Sequence, residues 1–265
     1  MANPHSFIDT HCHFDFPEFS DVETQLMKAQ QAGVKRIVIP AIGTKNWSSL
    51  QQLSKQYPSL YYSLGFHPYF LNQHPNDIYD VLNHTLLQRD KHCVAVGECG
   101  LDFMLHEALL TPGNITKQYT LFESQVELAA QHHLPLIIHS RKAHDKTVAR
   151  LKQVKLEKGG VIHAFSGSYQ QALEYVKLGF YIGVGGVITY PRANKTRQAI
   201  AKLPLESLVL ETDAPDMPVS GFQGQANHPA HLASIFSALC ELRSENEMKI
   251  EQQIWHNSCI LFGWD

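Results

Sequence analysis

Histidines and carboxylates follow short apolar runs at five places along the chain. At the first, residues 9–13 read DTHCH, and alternation of side chains along a strand would turn His11 and His13 to the same side. Neutral imidazole is a common ligand for zinc, manganese and iron, so a strand end with this spacing offers two donors to one ion. Each of four later runs ends in one further candidate, namely Glu98, His139, His163 and Asp213. These residue types indicate a metal site.

The number of candidate ligands favours a metal centre over a purely structural role for these side chains. Any one of these side chains could instead be a hydrogen-bonded histidine or a carboxylate that caps a helix. Five strand ends that all carry ligand-type residues are hard to explain in that way. Six candidates also exceed the four ligands of a closed zinc site, and a carboxylate among them can bridge two ions. We therefore predict two divalent cations per chain, with zinc and manganese suited to the histidines.

The elements that must position these residues alternate regularly. Apolar runs rich in Val and Ile alternate with amphipathic stretches such as 22–32, 116–132 and 170–178, a pattern typical of βα units. We predict eight strands, at residues 7–9, 36–40, 61–65, 93–97, 134–138, 160–162, 180–184 and 208–210. Eight such units favour a TIM (β/α)8 barrel within the α/β class, although five or six correct strands would leave an open sheet possible.

The barrel accounts for the whole chain. Its 265 residues match the usual size of one such domain, so we predict a single domain over 1–265 in which the segments 230–242 and 247–261 form closing helices. The carboxyl ends of all strands face one mouth of a barrel. The four histidines and two carboxylates should therefore meet there.

The composition and net charge of the chain indicate which surfaces and which cellular compartment to expect. The chain is 44% hydrophobic and 18% charged, and its net charge of -3 argues against a broad basic surface that grips duplex nucleic acid. Five cysteines without a C-x-x-C pair favour free thiols and a reducing compartment. Neither a leader nor an apolar run of roughly 18 residues is visible. We expect a cytoplasmic protein with no membrane contact and no obligate protein partner.

Several motifs together resemble those of the TatD family of metal-dependent deoxyribonucleases. They are H-x-H at 11–13, GECGLD at 97–102, IHSR at 138–141, HAFSG at 163–167 and ETDAP at 211–215, and the likeness covers nearly the full length. The segment 211–225, ETDAPDMPVSGFQGQ, is similar to the YjjV-like bacterial branch. One departure stands at 226–229, which reads ANHP where the family commonly has Arg-Asn-x-Pro.

The resemblance implies an amidohydrolase-like TIM barrel with a particular division of the ligands. One ion would lie near His11, His13, Glu98 and Asp213, and the other near Glu98, His139 and His163, with Glu98 as the bridge. Related amidohydrolases often carry a carboxylated lysine after strand four. A glutamate at this place resembles the TatD arrangement and favours phosphodiester chemistry. The resemblance also implies activity with magnesium, so the identity of the metal stays open.

Three further residues are candidates for substrate contact. His67 follows strand three at the same mouth and could bind a phosphate or act as an acid. Arg141 has a planar fork that suits phosphate, and the alternative for it is a salt bridge across a loop. Arg192 belongs to the segment 190–197, which combines three cations with an aromatic ring, as a groove for a single strand would. A solvated basic loop is the alternative reading of that segment.

The leading hypothesis is a metal-dependent hydrolase that cleaves phosphodiester bonds, most plainly those of DNA. Asp213 and Glu98 are the candidate catalytic residues, because a carboxylate beside two cations can accept a proton from the attacking water. Two alternatives are an amide or ester hydrolase, such as an aminoacyl deacylase, and a metal-binding scaffold without catalysis. Asp102, which ends the GECGLD motif, could orient a loop or a ligand.

Overall fold

Eight parallel strands form one sheet in sequence order in the computed structural model, which describes residues 5–264. Each strand is hydrogen-bonded to the next in the chain, as expected when every connection carries a helix. The strands are β1 (Phe7–Asp9), β2 (Val34–Ile39), β3 (Leu60–Leu64), β4 (Cys93–Asp102), β5 (Leu136–Arg141), β6 (Gly160–Ile162), β7 (Phe180–Val184) and β8 (Leu208–Leu210). Four of the predicted strands have the predicted bounds.

Nine α-helices accompany the strands in residues 5–264. They are α1 (Val22–Gln31), α2 (Thr44–Gln56), α3 (Ile78–Leu87), α4 (Pro112–Gln131), α5 (His144–Leu151), α6 (Tyr169–Lys177), α7 (Asn194–Lys202), α8 (Leu232–Leu242) and α9 (Glu247–Phe262). The last two are the predicted closing helices. No helix in this part of the chain has both the length and the apolar character needed to cross a membrane.

Hydrogen bonds between the ends of β1 and β8 close the sheet into a barrel. The backbone N–H and the hydroxyl of Thr10 both donate to the carbonyl of Leu210, at 3.0 and 2.9 Å. The buried carboxylate of Asp9 accepts from the backbone N–H and hydroxyl of Thr212, at 3.0 and 2.6 Å. The prediction of a barrel rather than an open sheet is therefore confirmed.

The end of β4 was predicted wrongly. The strand continues five residues beyond position 97 to Asp102, and all ten of its residues are buried. Gly100 pairs with His139 in register, and a Cβ at Gly100 would lie 2.0 Å from the carbonyl oxygen of His139. Glycine therefore permits the close approach of β4 to β5. The extension carries Asp102 as well as Glu98 to the mouth.

The opposite end of the barrel is filled by apolar and aromatic side chains. Val38, Val161 and Val209 cluster there with residues from the end of α9, and Trp264 packs beside them. The guanidinium of Arg36 lies 4.8 Å from the ring centroid of Trp264. These contacts close this end of the barrel. All five cysteines of the chain are unpaired, as the sequence predicted.

Candidate metal centre

One oxygen of the Glu98 carboxylate meets three imidazoles at the mouth of the barrel. Its Oε1 lies 2.9 Å from Nε2 of His67, 3.1 Å from Nδ1 of His139 and 2.8 Å from Nε2 of His163. Glu98 itself is 1% exposed. The structure therefore brings together Glu98, His139 and His163, the group predicted for one ion, and adds His67 to it.

The other oxygen of Glu98 faces the pair of histidines that follows β1. Its Oε2 lies 3.2 Å from Nε2 of His11 and 3.8 Å from Nε2 of His13. Oδ1 of Asp213 approaches the same two nitrogens, at 3.4 and 3.7 Å. These four residues are the group predicted for the other ion, and the carboxylate of Glu98 lies between the two groups.

Asp213 reaches this position through the loop that follows β8. Its backbone N–H donates to the carbonyl of His11 at 2.8 Å, and the carbonyl of Ala214 accepts from the N–H of His13 at 2.8 Å. The side chain of Asn227 donates to the carbonyls of Thr212 and Met217, at 2.9 and 3.1 Å. In the segment 226–229, asparagine therefore supports the backbone beside Asp213.

Several buried polar atoms at the centre lack a hydrogen-bond partner, and this supports a cation site. Both ring nitrogens of His11, Oε2 of Glu98 and Nδ1 of His163 are enclosed without such a partner within the described chain. An unsatisfied polar atom in the interior is costly. Converging imidazole nitrogens and carboxylate oxygens form a donor set that suits a divalent cation. Compact groups of potential ligand atoms include His11, His13 and Glu98.

The electrostatics of the centre favour the ligand forms of its carboxylate and of two histidines. Burial lowers the pKa of His13 to about 4 and lowers that of His11 well below its usual value, so both are neutral at pH 7. Burial alone would raise the pKa of Glu98, but His163, His67 and His11 hold it well below its usual value. Neutral imidazoles and an ionised carboxylate are the forms that bind metal.

His67 is held as a hydrogen-bond donor. Its Nδ1 accepts the backbone N–H of Tyr69 at 2.9 Å, so the ring proton lies on Nε2, which points at Glu98. Nε2 of His74 donates to the carbonyl of His67 at 2.8 Å and fixes the loop. A ring nitrogen that carries a proton cannot coordinate a metal, so this arrangement favours donation to an anionic oxygen.

Asp102 is a site residue whose partner the sequence did not reveal. Oδ2 of this buried carboxylate lies 3.1 Å from Nε2 of His139, and Oδ1 accepts the backbone N–H of Met104 at 2.7 Å. A carboxylate on the outer nitrogen of a ligand histidine fixes the ring and makes the other nitrogen a better donor to metal. The outcome agrees with the second role suggested for Asp102, that of orienting a ligand.

Glu211 is a residue beside the centre that the sequence analysis did not single out. Its Oε1 accepts the backbone N–H of Ala164 and lies 3.9 Å from Nδ1 of His163. Burial raises the pKa of Glu211 to about 8. A Cβ at Gly183 would lie 2.4 Å from Oε2 of Glu211, so glycine leaves room for this carboxyl group. The sequence did contain a signal for Glu211. Glu211 and Asp213 lie two residues apart after a strand, as His11 and His13 do, and this spacing turns both side chains to the same side.

In the part of the chain that the structure describes, the candidate substrate-binding arginines are not bonded to the predicted ligands, although the charge of Arg141 helps to lower the pKa of the Asp102 carboxyl. No hydrogen bond or ion pair within residues 5–264 joins Arg141 or Arg192 to the predicted ligands, and both side chains are exposed. The guanidinium of Arg192 lies 5.3 Å from the ring centroid of Tyr190. The predicted basic loop is partly wrong, since α7 begins at Asn194 and Arg197 donates to the carbonyl of Ile188.

A closed eight-stranded barrel with His/Glu clusters at its mouth is typical of metal-dependent hydrolases. Comparisons with known proteins agree with this class. The model of the family described as TatD related DNase matches residues 8–263. The chain therefore belongs to the TatD family and is a metal-dependent hydrolase.

Individual relatives support the same assignment. The uncharacterized metal-dependent hydrolase YjjV of Escherichia coli K12 is 49% identical over 258 residues, which are 97% of this chain and 98% of the relative. The crystal structure of YjjV from Escherichia coli K12 superposes on this chain with a TM-score of 0.93 and 49% sequence identity, and the match covers 98% of both chains. The protein named 3'-5' ssDNA/RNA exonuclease TatD of Klebsiella pneumoniae is 31% identical over 252 residues, 92% of this chain and 93% of that protein.

Proposed function

We propose that this chain hydrolyses phosphodiester bonds, with DNA as the foremost substrate and two divalent cations at the mouth of the barrel. The observation that carries the proposal is the position of Glu98, whose two oxygens face two separate groups of histidines. The name of the Klebsiella relative, an exonuclease for single-stranded DNA and RNA, supports this substrate class. In this proposal Glu98 would hold both cations.

The ligands divide as the geometry groups them. His11, His13 and Asp213 would hold one cation, His139 and His163 the other, and Glu98 both. Cations held there would polarise the phosphoryl oxygens and acidify a water molecule. The metal series that we consider is magnesium, manganese and zinc, since oxygen and nitrogen donors are both present.

The chain's own groups have separate tasks. Asp213 is placed to accept a proton from the attacking water, because its Oδ1 lies 3.4 Å from Nε2 of His11, beside the proposed cation positions. Nε2–H of His67 would donate to an anionic oxygen of the substrate. Arg141 and Arg192, whose side chains are exposed, would contact phosphates of the substrate. A cytoplasmic location and independence from a protein partner stay predictions.

A substrate profile tests this function. End-labelled single-stranded DNA, duplex DNA, RNA and an acylated substrate are each incubated with enzyme across the metal series, with Glu98→Ala as the control for contaminating nuclease. We expect metal-dependent loss of the DNA label in the wild type alone. Turnover of the acylated substrate without nuclease activity would replace the proposal with ester or amide hydrolysis. Metal binding without any turnover would favour the scaffold alternative.

A further inference from the structure

Two buried glutamines on α4 each hold the backbone of one residue at the rim of the barrel. Oε1 of Gln125 accepts the N–H of Phe66 at 2.7 Å, and Nε2 of Gln125 donates to the carbonyl of Phe66 at 3.1 Å. Gln118 makes the same pair of bonds to Asp102, at 2.9 and 3.1 Å. Both glutamines are 0% exposed.

A glutamine side chain is suited to this task because its amide carries both an acceptor and donors. Each glutamine therefore acts like one additional peptide group beside the end of a strand. Such an arrangement satisfies both backbone groups of a buried residue where strand pairing no longer does so. An apolar residue of the same size would fill the space and leave both backbone groups without partners.

Each of the two residues that are held is connected to a histidine that contacts Glu98. Phe66 immediately precedes His67, whose Nε2 lies 2.9 Å from Oε1 of Glu98. Asp102 accepts from His139, whose Nδ1 lies 3.1 Å from that same oxygen. Two chains of contacts therefore link α4 to Oε1 of Glu98. One passes through Phe66 and His67, and the other passes through Asp102 and His139.

We propose that Gln118 and Gln125 are positioning residues with different tasks. Gln118 sets Asp102 and thereby orients His139, whose Nδ1 would hold a cation. Gln125 sets the backbone at Phe66 and thereby holds His67 as a donor toward substrate. The task of Gln125 rests on the proposed function, whereas that of Gln118 requires only that His139 bind metal.

Gln118→Met and Gln125→Met test the two tasks, because methionine keeps a similar length without the amide. Leu128→Ala is the matched control, since Leu128 is also 0% exposed on α4 and its truncation lowers stability without removing either amide. The cobalt-loaded proteins are compared by visible absorption spectrum and by the rate of Co²⁺ release to a chelator. The metal-free proteins are compared by the ¹⁵N shifts of the His67 ring.

For Gln118→Met we expect an altered cobalt spectrum and about tenfold faster Co²⁺ release. For Gln125→Met we expect an unchanged spectrum and release rate, loss of the single His67 tautomer, and about tenfold lower kcat at similar KM on single-stranded DNA. The control should change none of these quantities. If both glutamine variants behave alike, or like Leu128→Ala, the proposal is wrong.

The readouts separate this proposal from the proposed function. If no nucleic acid is cleaved, the cobalt spectrum and the His67 shifts still decide whether the glutamines position the two histidines. If the methionine variants do not fold, Gln118→Asn and Gln125→Asn keep an uncharged amide but shorten its reach and should show the same split in weaker form. Asparagine variants with no such split would also overturn the proposal.

Discussion

The imidazoles of His11 and His163 lie stacked, with ring centroids 3.9 Å apart and an angle of 9° between their planes. His11 follows β1 and His163 follows β6, so the contact crosses the interior of the barrel. Because these rings belong to different ligand groups, the two predicted cation positions are neighbours. One carboxylate, that of Glu98, can then serve both.

Glu98→Ala should lower bound metal more than His67→Ala does. Glu98 contacts members of both ligand groups, whereas the ring proton of His67 directs it toward hydrogen bonding. We expect the Glu98 variant to lose most of its divalent metal and the His67 variant to retain it, measured by elemental analysis of proteins purified in parallel. Equal metal content in the two variants would remove Glu98 from the ligands.

Asp213→Asn should separate binding from chemistry. Asparagine keeps the shape and one oxygen donor, so the group of Glu98, His139 and His163 should still hold its cation. Without a carboxylate to accept the proton of the attacking water, kcat should fall by roughly 10²-fold or more. Turnover is measured at saturating metal, with occupancy checked by elemental analysis. Recovery of near wild-type turnover at full occupancy would show that Asp213 is only a ligand.

Arg141→Ala should raise KM for a DNA substrate by roughly tenfold while metal content stays intact, because a charge-assisted contact to phosphate is lost. Arg150→Ala is the matched control. Arg150 lies in the last turn of α5 and pairs with Glu123 at 3.1 Å, so its removal should leave KM unchanged. Steady-state kinetics at several salt concentrations measure both variants. An unchanged KM for Arg141→Ala would assign that residue to structure.

Cation binding should release protons at pH 7.5. Burial opposes charge on His163, but Glu98 raises the pKa of this histidine to about 10, so its ring is protonated in the protein alone. Coordination requires the neutral ring, so about one proton should leave His163, and the protonated fraction of Asp213 adds to this release. Affinity should weaken as the pH falls. Calorimetric titration in buffers with different ionisation enthalpies counts the protons, and a heat independent of the buffer would contradict this expectation.

Glu245 should stabilise the fold above its usual pKa. Arg243 donates to Glu245 at 2.6 and 3.1 Å and also to the carbonyl of Leu203 at 2.6 Å, and this partner lowers the pKa of Glu245 to about 2. A lowered pKa means that the stabilisation is complete above about pH 4.5 and is lost as the pH falls toward 2.

Glu245→Gln should therefore lower the free energy of unfolding by roughly 1 kcal/mol at pH 6.5, with a smaller difference at pH 3. Urea unfolding at both values measures this, and Glu241→Gln serves as the exposed control. A difference of the same size at the two pH values would show that the ion pair is not its source.

The sequence was sufficient for features that depend on local pattern and on barrel topology. Four strands have the predicted bounds, because Val- and Ile-rich runs end at polar residues such as those after Asp9 and Leu210. The six predicted ligands converge because parallel strands end at one mouth. This follows from topology without any knowledge of side-chain packing.

Features that depend on register and side-chain packing were missed. We predicted that β4 ends at residue 97, yet it stays paired with β5 as far as Asp102, because glycine at position 100 permits the close approach of the two strands. The partnership of Asp102 with His139 depends on that register. Gln118 and Gln125 occupy an amphipathic helix on which a glutamine ordinarily indicates a solvent-facing position, and only the structure shows them buried.

Closure of the barrel through Thr10 and Leu210 joins the first strand of the chain to the last. During synthesis, Glu98, His139 and His163 are all present once β6 has been added. His11 and His13 are made earliest but meet Asp213 only after β8 has emerged. The ligand group of His11, His13, Glu98 and Asp213 can therefore be complete only after β8 has been made, so the complete centre marks a chain whose last strand has paired with its first.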